Sequence, residues 1–373
     1  MAAVHTAAII FVQYSINKAL DNSLILIRFS AMDRINLLGN TVGDLEKVMV
    51  NLGEKPFRAR QLFKWLYHIM QPDFERMTDL SKTLRKDLSD KFVFDYPSIE
   101  KIAISEDGTE KLLFKLTDGL FIESVIIPDN GKKTVCVSTQ VGCALNCAFC
   151  ATGKMGFSRN LTTGEIIGQL LYIRERGGFD AFHNIVFMGM GEPLLNYPNM
   201  IKAVEIISSS IGLSVSAKKI TISTAGIAPG IVKLADSDLK VNLAISLHAA
   251  NDEKRMALMP IASKYKLSEL IPAIKYYTTR RRKRVTFEYI LFKGFNDSKE
   301  DALELARLIE GIPCKINILA YNPVEGLSYG RPTDEEVDRF GKILYPRAPA
   351  VTVRKSRGLD IDAACGQLAG KYK

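Results

Sequence analysis

The sequence predicts an α/β protein: a parallel sheet curled into a partial (β/α)6 barrel, preceded by a small helical domain and a β-hairpin extension. Three observations carry this. From residue 132 onward, short β-rich runs alternate with longer stretches, most of them amphipathic, giving six strand–helix units, the rhythm of parallel strands joined by crossovers. Residues 41–94 carry helical spacing instead. Between the two regions, Asp107-Gly108 and Asp118-Gly119 separate three strand-like runs, and Asp-Gly is a strong hairpin signal.

At 373 residues and 47% hydrophobic composition, the chain can bury one large core and one or two small ones. The expected divisions are 32–97 (a basic helical accessory domain, read equally as an RNA-binding module or a solvated bundle), 98–130 (β extension), 131–347 (barrel) and 348–373 (a last strand and tail). Residues 1–31 read as a disordered leader, with Met32 as the natural start. Their apolar run over 7–12 is too short to span a membrane, and Gln13, Asn17, Lys18 and Asp21 follow it. No basic stretch precedes it, as a signal peptide would need.

In the first module, Leu62, Phe63, Leu66 and Tyr67 fall on one helical face after Pro56, with Arg58, Arg60 and Lys64 on others. Residues 80–88 form a second short basic helix. Strands follow at 101–104, 111–116 and 120–127. The barrel strands are expected at 134–139, 184–188, 219–223, 241–246, 284–291 and 315–319. Helices intervene around 166–173, 200–209, 267–277, 298–310 and 333–344, with a shorter link over 228–235. Thr162 and Glu165 form a capping box for the first of these helices, and Arg176-Gly177-Gly178 ends it. A short strand over 350–354 precedes the tail.

The chemistry gathers after the first barrel strand, in Cys143-Ala144-Leu145-Asn146-Cys147-Ala148-Phe149-Cys150. Three thiolates spaced C-x3-C-x2-C can ligate three irons of a 4Fe–4S cluster and leave the fourth open. An amine and a carboxylate, such as those of S-adenosylmethionine (SAM), can bind an open iron. Zinc would want a fourth ligand nearby, yet the next histidine is His183 and the next cysteine Cys314. Few cysteines in a long chain argue against a disulfide framework and for a reducing cytosol. The spacing resembles that of the radical-SAM enzymes.

Reactive loops of such barrels lie at the carboxyl ends of the strands. The second strand ends in Gly189-Met190-Gly191-Glu192-Pro193, where glycines let backbone approach a ligand and Glu192 can take an ammonium. The third ends in Ser223-Thr224-Ala225-Gly226, the fourth in Ser246-Leu247-His248, and the sixth runs into Tyr321-Asn322-Pro323. Small polar groups in series suit a ribose, a carboxylate and an adenine.

With these residues in view, the chain resembles the RlmN-type dual-specificity adenosine-C2 RNA methyltransferases, from about Leu37 to the tail. The most specific pieces are the cysteine loop with Ala151-Thr152-Gly153, the Gly-Met-Gly-Glu-Pro stretch, and 357–368, which contains Cys365. The resemblance implies a 4Fe–4S cluster on Cys143, Cys147 and Cys150, and SAM contacts from Gly191, Glu192, Ser223, Ser246, Leu247, His248 and Asn322. It implies Cys365 as the cysteine that is methylated, Cys136 as its partner thiol through a disulfide, and Glu123 as proton acceptor. It also implies two SAM molecules per turnover, 23S rRNA and tRNA as substrates, a flavodoxin or ferredoxin as electron donor, and a cytoplasmic monomer. The Cfr-type relatives, which methylate carbon 8, share these cysteines. From another class, a non-catalytic iron–sulfur RNA-binding protein would need neither Glu192 nor Cys365.

The formal net charge of +9 favours a polyanionic partner. The run Arg280-Arg281-Arg282-Lys283-Arg284 is expected to contact phosphate. Cys314 reads as core.

Overall fold

The computed structural model describes residues 34–370; the leader expected over 1–31 lies outside them. From Asn36 onward the chain forms one compact unit, and the expected divisions at 97, 130 and 347 fall inside it.

The first module holds α1 (Val42–Asn51), α2 (Arg58–Phe63) and α3 (Lys82–Lys91). Thr41 and Asp44 make a capping box for α1, and the Ser81 hydroxyl caps α3. The apolar face expected near α2 is buried through Leu62, Phe63, Leu66 and Tyr67. Its second half widens into a π turn, Lys64–Ile69. The Tyr67 hydroxyl accepts from the Gly39 N–H at 2.8 Å and donates to the Asn40 carbonyl at 3.1 Å.

One sheet then runs through the rest. The Asp-Gly turns join β1 (Ser98–Ile104), β2 (Glu110–Lys115) and β3 (Phe121–Asp129) into an antiparallel meander. Strand β4 (Lys132–Cys136) pairs antiparallel with β3 and opens the parallel part. A small ribbon of β5 (Gln140–Gly142) and β6 (Phe157–Asn160) brackets the cysteine loop and the short α4 (Ala151–Lys154). Next come α5 (Thr163–Gly177), β7 (Asn184–Phe187), α6 (Tyr197–Ser208), β8 (Ile220–Thr224), α7 (Ala228–Asp236) and β9 (Asn242–Ser246). The chain continues with α8 (Asp252–Leu258), α9 (Leu267–Arg281), β10 (Val285–Leu291), α10 (Lys299–Leu308), β11 (Cys314–Ala320), α11 (Asp334–Leu344) and β12 (Val351–Arg354). The spatial order is β12-β11-β10-β9-β8-β7-β4-β3-β2-β1.

The six expected barrel strands are present, and so are the capping box and glycine stop of α5. Three features differ from expectation. The strand near 350 joins the parallel sheet as its seventh parallel member, with Ile316 in register with Val351. The link over 228–235 is a helix, because Pro229 sits in its first turn, where proline is favoured. Helix α8 and the β5–β6 ribbon carry too few residues for periodicity to reveal them.

Part of the basic run ending α9 is spent on structure. Arg281 donates to the carbonyls of Ser237 (2.8 Å) and Leu239, Lys283 to those of Lys240 and Val241, and Arg280 lies 3.6 Å from Asp236. The run lies at the amino end of β10, where Arg280, Arg282 and Arg284 are exposed. Among the described residues no helix is long and apolar enough to cross a membrane.

The module packs on α5 by backbone contact. Gly39 has φ +87°, and a Cβ there would fall 2.3 Å from the Gly164 nitrogen. Lys202 on α6 adds an ion pair with Asp44 at 2.8 Å. Gly39→Ala should therefore destabilise the protein by about 2 kcal/mol or more, since both conformation and space oppose the methyl. Urea unfolding of the variant checks this; an unchanged midpoint would show that the module can shift away from α5 freely.

Candidate active site

The carboxyl ends of the parallel strands converge on one cleft. Met188, Gly189, Gly191 and Glu192 reach it from β7, Ser223 and Thr224 from β8, Ser246 and His248 from β9, and Glu288 from β10. Leu319 and Arg354 enter from β11 and β12, and Cys143, Cys147, Cys150 and Cys365 complete the wall. The space free of atoms is about 920 Å³, its open mouth included.

The cysteine loop is held by its own backbone. The Cys143 N–H donates to Gly156 O at 2.8 Å, Ala148 N–H to Leu258 O at 2.8 Å, and Ala151 N–H to Gly366 O at 2.7 Å. Asn146 takes a positive φ of 47°. Gly142 has φ +72°, and a Cβ on it would meet Gly156 O at 1.9 Å. Leu145 and Phe149 pack with Leu258, Met259, Phe292 and Tyr321, and the three cysteines lie against this cluster. Among the described residues no three His, Cys, Asp or Glu side chains close on a single ion. A single zinc would want sulfurs about 2.3 Å from one point, whereas a cluster spreads its thiolates, one to each iron.

Glu192 is 3% exposed, and its carboxylate accepts from Leu194 N–H at 3.0 Å and Ala225 N–H at 2.7 Å. Burial pushes its carboxyl up, to about 7, against these bonds. Gly191, at φ +97°, brings the chain so close to Gln140 that a Cβ would sit 2.5 Å from the glutamine Cβ. His248 accepts from the Ile290 N–H through Nδ1 at 3.1 Å and sets its ring edge-on to Phe149. Burial, with Arg255 adding to it, pulls its pKa down to about 3, so the imidazole is neutral at pH 7. Ser223 and Ser246 line the cleft as expected. Leu247 does not: its side chain is fully buried in the apolar core. Asn322 also lies elsewhere. Its Nδ2 donates to Cys365 O at 3.1 Å and its Oδ1 accepts from Arg331 and Ser356, so it anchors the tail.

Cys136 and Cys365 line a second cavity behind the cleft, shared with Cys150, Asn322 and Arg354. All six cysteines are free thiols. Burial pushes the Cys136 thiol far up, and the neighbouring Cys365 adds to this. Glu123 opens on a third cleft instead, with Lys101, Lys111, Lys154 and Gln367. Its Oε2 accepts from the tail N–H groups of Ala369 (2.8 Å) and Gly370 (3.1 Å), and its Oε1 lies 3.5 Å from Lys111 Nζ.

Sequence reasoning missed Glu288 and Arg354, which face the cleft from β10 and β12. Glu288 is buried, accepts from Asn317 Nδ2 at 2.8 Å, and its carboxyl is pushed up by burial. Their signal was an acidic and a basic residue inside strands, where apolar side chains are usual.

The tail that carries Cys365 is tied to the β1–β2 turn. Asp107 accepts from Gly358 N–H at 3.0 Å, and Asp360 accepts from the Ser105 hydroxyl at 2.5 Å. Burial would raise the Asp107 carboxyl, but bonds from Thr109, Gly358 and Ser105 outweigh it and hold the pKa at about 2, below the ordinary 3.8. This anchor is present above the ordinary carboxylate range and is lost as pH falls towards 2. Asp107→Ala should speed trypsin cleavage after Lys355 and Arg357 several-fold at neutral pH. Cleavage at the wild-type rate would show that the turn does not hold the tail.

Residues 35–94 match the family described as "Ribosomal RNA large subunit methyltransferase N-terminal domain", and residues 137–306 match the radical SAM superfamily. A crystal structure of a radical SAM methyltransferase from Sphaerobacter thermophilus is 43% identical, covers 90% of this chain and 100% of its own, and superposes with a TM-score of 0.85. SuiB from Streptococcus suis, bound to S-adenosylmethionine, is 17% identical over 59% of this chain and 50% of its own, with a TM-score of 0.44. That likeness is too low to carry weight beside the first. Two family matches in series and full coverage of a 43% identical methyltransferase agree on one assignment: the chain belongs to the RlmN-type radical SAM methyltransferases.

Proposed function

We propose that this protein methylates carbon 2 of an adenosine in 23S rRNA and of the adenosine beside the anticodon in tRNA, carrying the methyl group on Cys365. The observation that carries the reading is the shared cavity: two free thiols, Cys136 and Cys365, border one space directly behind the three-cysteine cleft. Membership of the superfamily implies a 4Fe–4S cluster and SAM. The residues present fit both groups. Three thiols of one loop line the cleft together with the polar strand ends, and Glu192 supplies a buried carboxylate for an ammonium. Cys143, Cys147 and Cys150 would hold the cluster, and Gly191, Glu192, Ser223, Ser246 and His248 would border SAM. Leu247 would take part through backbone alone, and Asn322 by fixing Cys365.

A reduced cluster held by these cysteines would supply the one electron needed to cleave SAM to a 5′-deoxyadenosyl radical. The chain's own residues account for the rest. Carbon 2 of adenine lies between two ring nitrogens and is too electron-poor to attack a sulfonium methyl. A thiolate at Cys365 is a good nucleophile and accepts that methyl as a thioether. The 5′-deoxyadenosyl radical would take one hydrogen atom from that S-methyl group, and the resulting carbon radical would add to carbon 2, which leaves RNA joined to Cys365 and one unpaired electron on the adduct. Glu123 takes the ring proton, exchanging its bonds to the tail amides for it. The thiolate of Cys136 attacks the Cys365 sulfur, the sulfur–carbon bond breaks, the carbon takes a proton to become the product methyl, and the one surplus electron would return to the cluster. The resulting disulfide is a step of turnover and must be reduced before the next cycle. Two SAM molecules are consumed each time. An external one-electron donor of the flavodoxin or ferredoxin kind serves the cluster.

The N-terminal module supports an RNA substrate. Arg58 lies over the exposed ring of Phe57, 4.9 Å from its centroid, beside the exposed Arg60 and Lys64, and bases stack on such aromatic–cationic surfaces.

Three variants test the reading. Cys143→Ala, reconstituted anaerobically, should bind iron substoichiometrically and form no 5′-deoxyadenosine; a full cluster would remove the loop from its role. Cys365→Ala should give no methylated RNA and no protein–RNA adduct. Cys136→Ala should accumulate an adduct that survives denaturing gels, and normal turnover by this variant would defeat the two-thiol mechanism. Mass spectrometry of the methyladenosine isomers formed separates carbon 2 from the carbon 8 product of the Cfr-type enzymes.

A further inference from the structure

Arg255 is the largest fully buried side chain among the described residues, at 0% exposure. Its contacts do not account for its charge. Nη2 donates to Ala225 O at 2.5 Å and Nη1 to Tyr265 O at 3.3 Å, while Nε has no partner. Among the described residues it enters no ion pair. Asp252, one turn earlier on α8, acts on it from a distance, with its Oδ1 taken by the Leu267 N–H. Burying a guanidinium is costly unless it is paired, and Asp252 reaches it only at a distance, so an anion held nearby by the chain would offset the remaining cost.

The surroundings say where. Helix α8 accepts the Ala148 N–H of the cysteine loop through Leu258 O, so the element carrying Arg255 is bonded to the loop between Cys147 and Cys150. Leu258 and Met259 form the apolar wall on which the three cysteines lie. Gly226, at φ +105°, makes room: a Cβ there would stand 2.7 Å from Nη2. Ala225 offers its N–H to Glu192 and its carbonyl to Arg255, so one residue orients both buried charges beside the cleft. Burial pulls the guanidinium down to about 10, and Cys147 is the cysteine whose charge would act to restore it.

We propose that Arg255 is the built-in counter-charge of the iron–sulfur cluster, acting through its field from behind Cys147 and raising the cluster's reduction potential. The inference rests on the reading of Cys143, Cys147 and Cys150 as cluster ligands. A cluster on three thiolates is anionic and gains a further negative charge on reduction. A fixed cation in a low-dielectric wall favours the more negative state. Surface exposure would screen that field, and burial at 0% exposure leaves it much less screened.

The test uses the full protein reconstituted with iron and sulfide, with the cluster titrated by dithionite and followed by electron paramagnetic resonance. Arg255→Met removes the charge and keeps the length; Arg255→Lys keeps the charge. The midpoint of the Met variant should move to a more negative potential, while that of the Lys variant stays near wild type. Without cluster, the Met variant should unfold at the same temperature as wild type or higher, and cluster loading should stabilise it less. An unchanged midpoint in the Met variant overturns the proposal. So does a cluster-free Met variant that unfolds well below the Lys variant, which would make Arg255 a hydrogen-bonded strut. Weaker SAM binding with an unchanged midpoint would assign the guanidinium to the SAM carboxylate and also overturn it. Should the Met variant not fold, Arg255→Gln keeps a donor without the charge and is read the same way. Wild-type protein that takes up no iron defeats the reading of the three cysteines, and the inference with it; iron content separates that result from an unmoved midpoint.

Discussion

A loop that must sit buried at the end of a strand needs partners for its peptide groups, because an unpaired buried N–H or carbonyl is costly. The loop from Cys143 to Cys150 meets this demand with distant segments. Gly156 serves Cys143, Leu258 serves Ala148, and Gly366 serves Ala151. Each of these bonds fixes more than the loop. The first closes the β5–β6 ribbon, the second seats α8 with Arg255, and the third brings the tail within reach of the cleft. The Thr152 hydroxyl strengthens the third by donating to Leu368 O at 2.5 Å. The position of Cys365 thus follows from the same backbone requirement that shapes the three-cysteine loop.

The rest of the site obeys the same accounting with side chains. Gln140 accepts the Glu192 N–H at 2.8 Å, Glu192 accepts the Ala225 N–H, and Ala225 O accepts from Arg255. Asn296 donates to His248 O at 2.6 Å and to Ile290 O at 2.8 Å, tying the ends of β9 and β10 together. Such networks hold polar groups rigidly where water is scarce, and their cost falls steeply once every member is paired. Arg255 is the member of this network left incomplete, its Nε having no partner.

The tail is held by weaker means. Asp107, Ser105, Asn322, Thr152 and Glu123 each contribute a bond or two to residues 358–370. These contacts are polar and in part solvent-exposed, so the segment can leave at lower cost than a core strand. The proposed function asks Cys365 to meet both a methyl donor and an RNA base, and such a segment suits that demand. Glu123 is engaged by the tail amides in this arrangement, which couples its availability to the tail's position.

The sequence by itself determined the order of elements, because a period of 3.6 or 2 and a turn signal are local properties. The spacing that points to a cluster was local too, since Cys143, Cys147 and Cys150 lie within eight residues. Glu192, Ser223, Ser246 and His248 were legible because strand ends share one rim of a parallel sheet. The tertiary structure alone decided the rest. It sent Leu247 into the core, set Asn322 on the tail, and spent Arg281 and Lys283 on carbonyls. It continued the meander into the parallel sheet and made 351–354 a seventh parallel strand. It placed Cys136 and Cys365 on one cavity across more than half the chain, and brought Arg255 behind the cysteine loop. Each of these depends on which distant peptide group satisfies which buried donor, and no local pattern in a chain records that pairing.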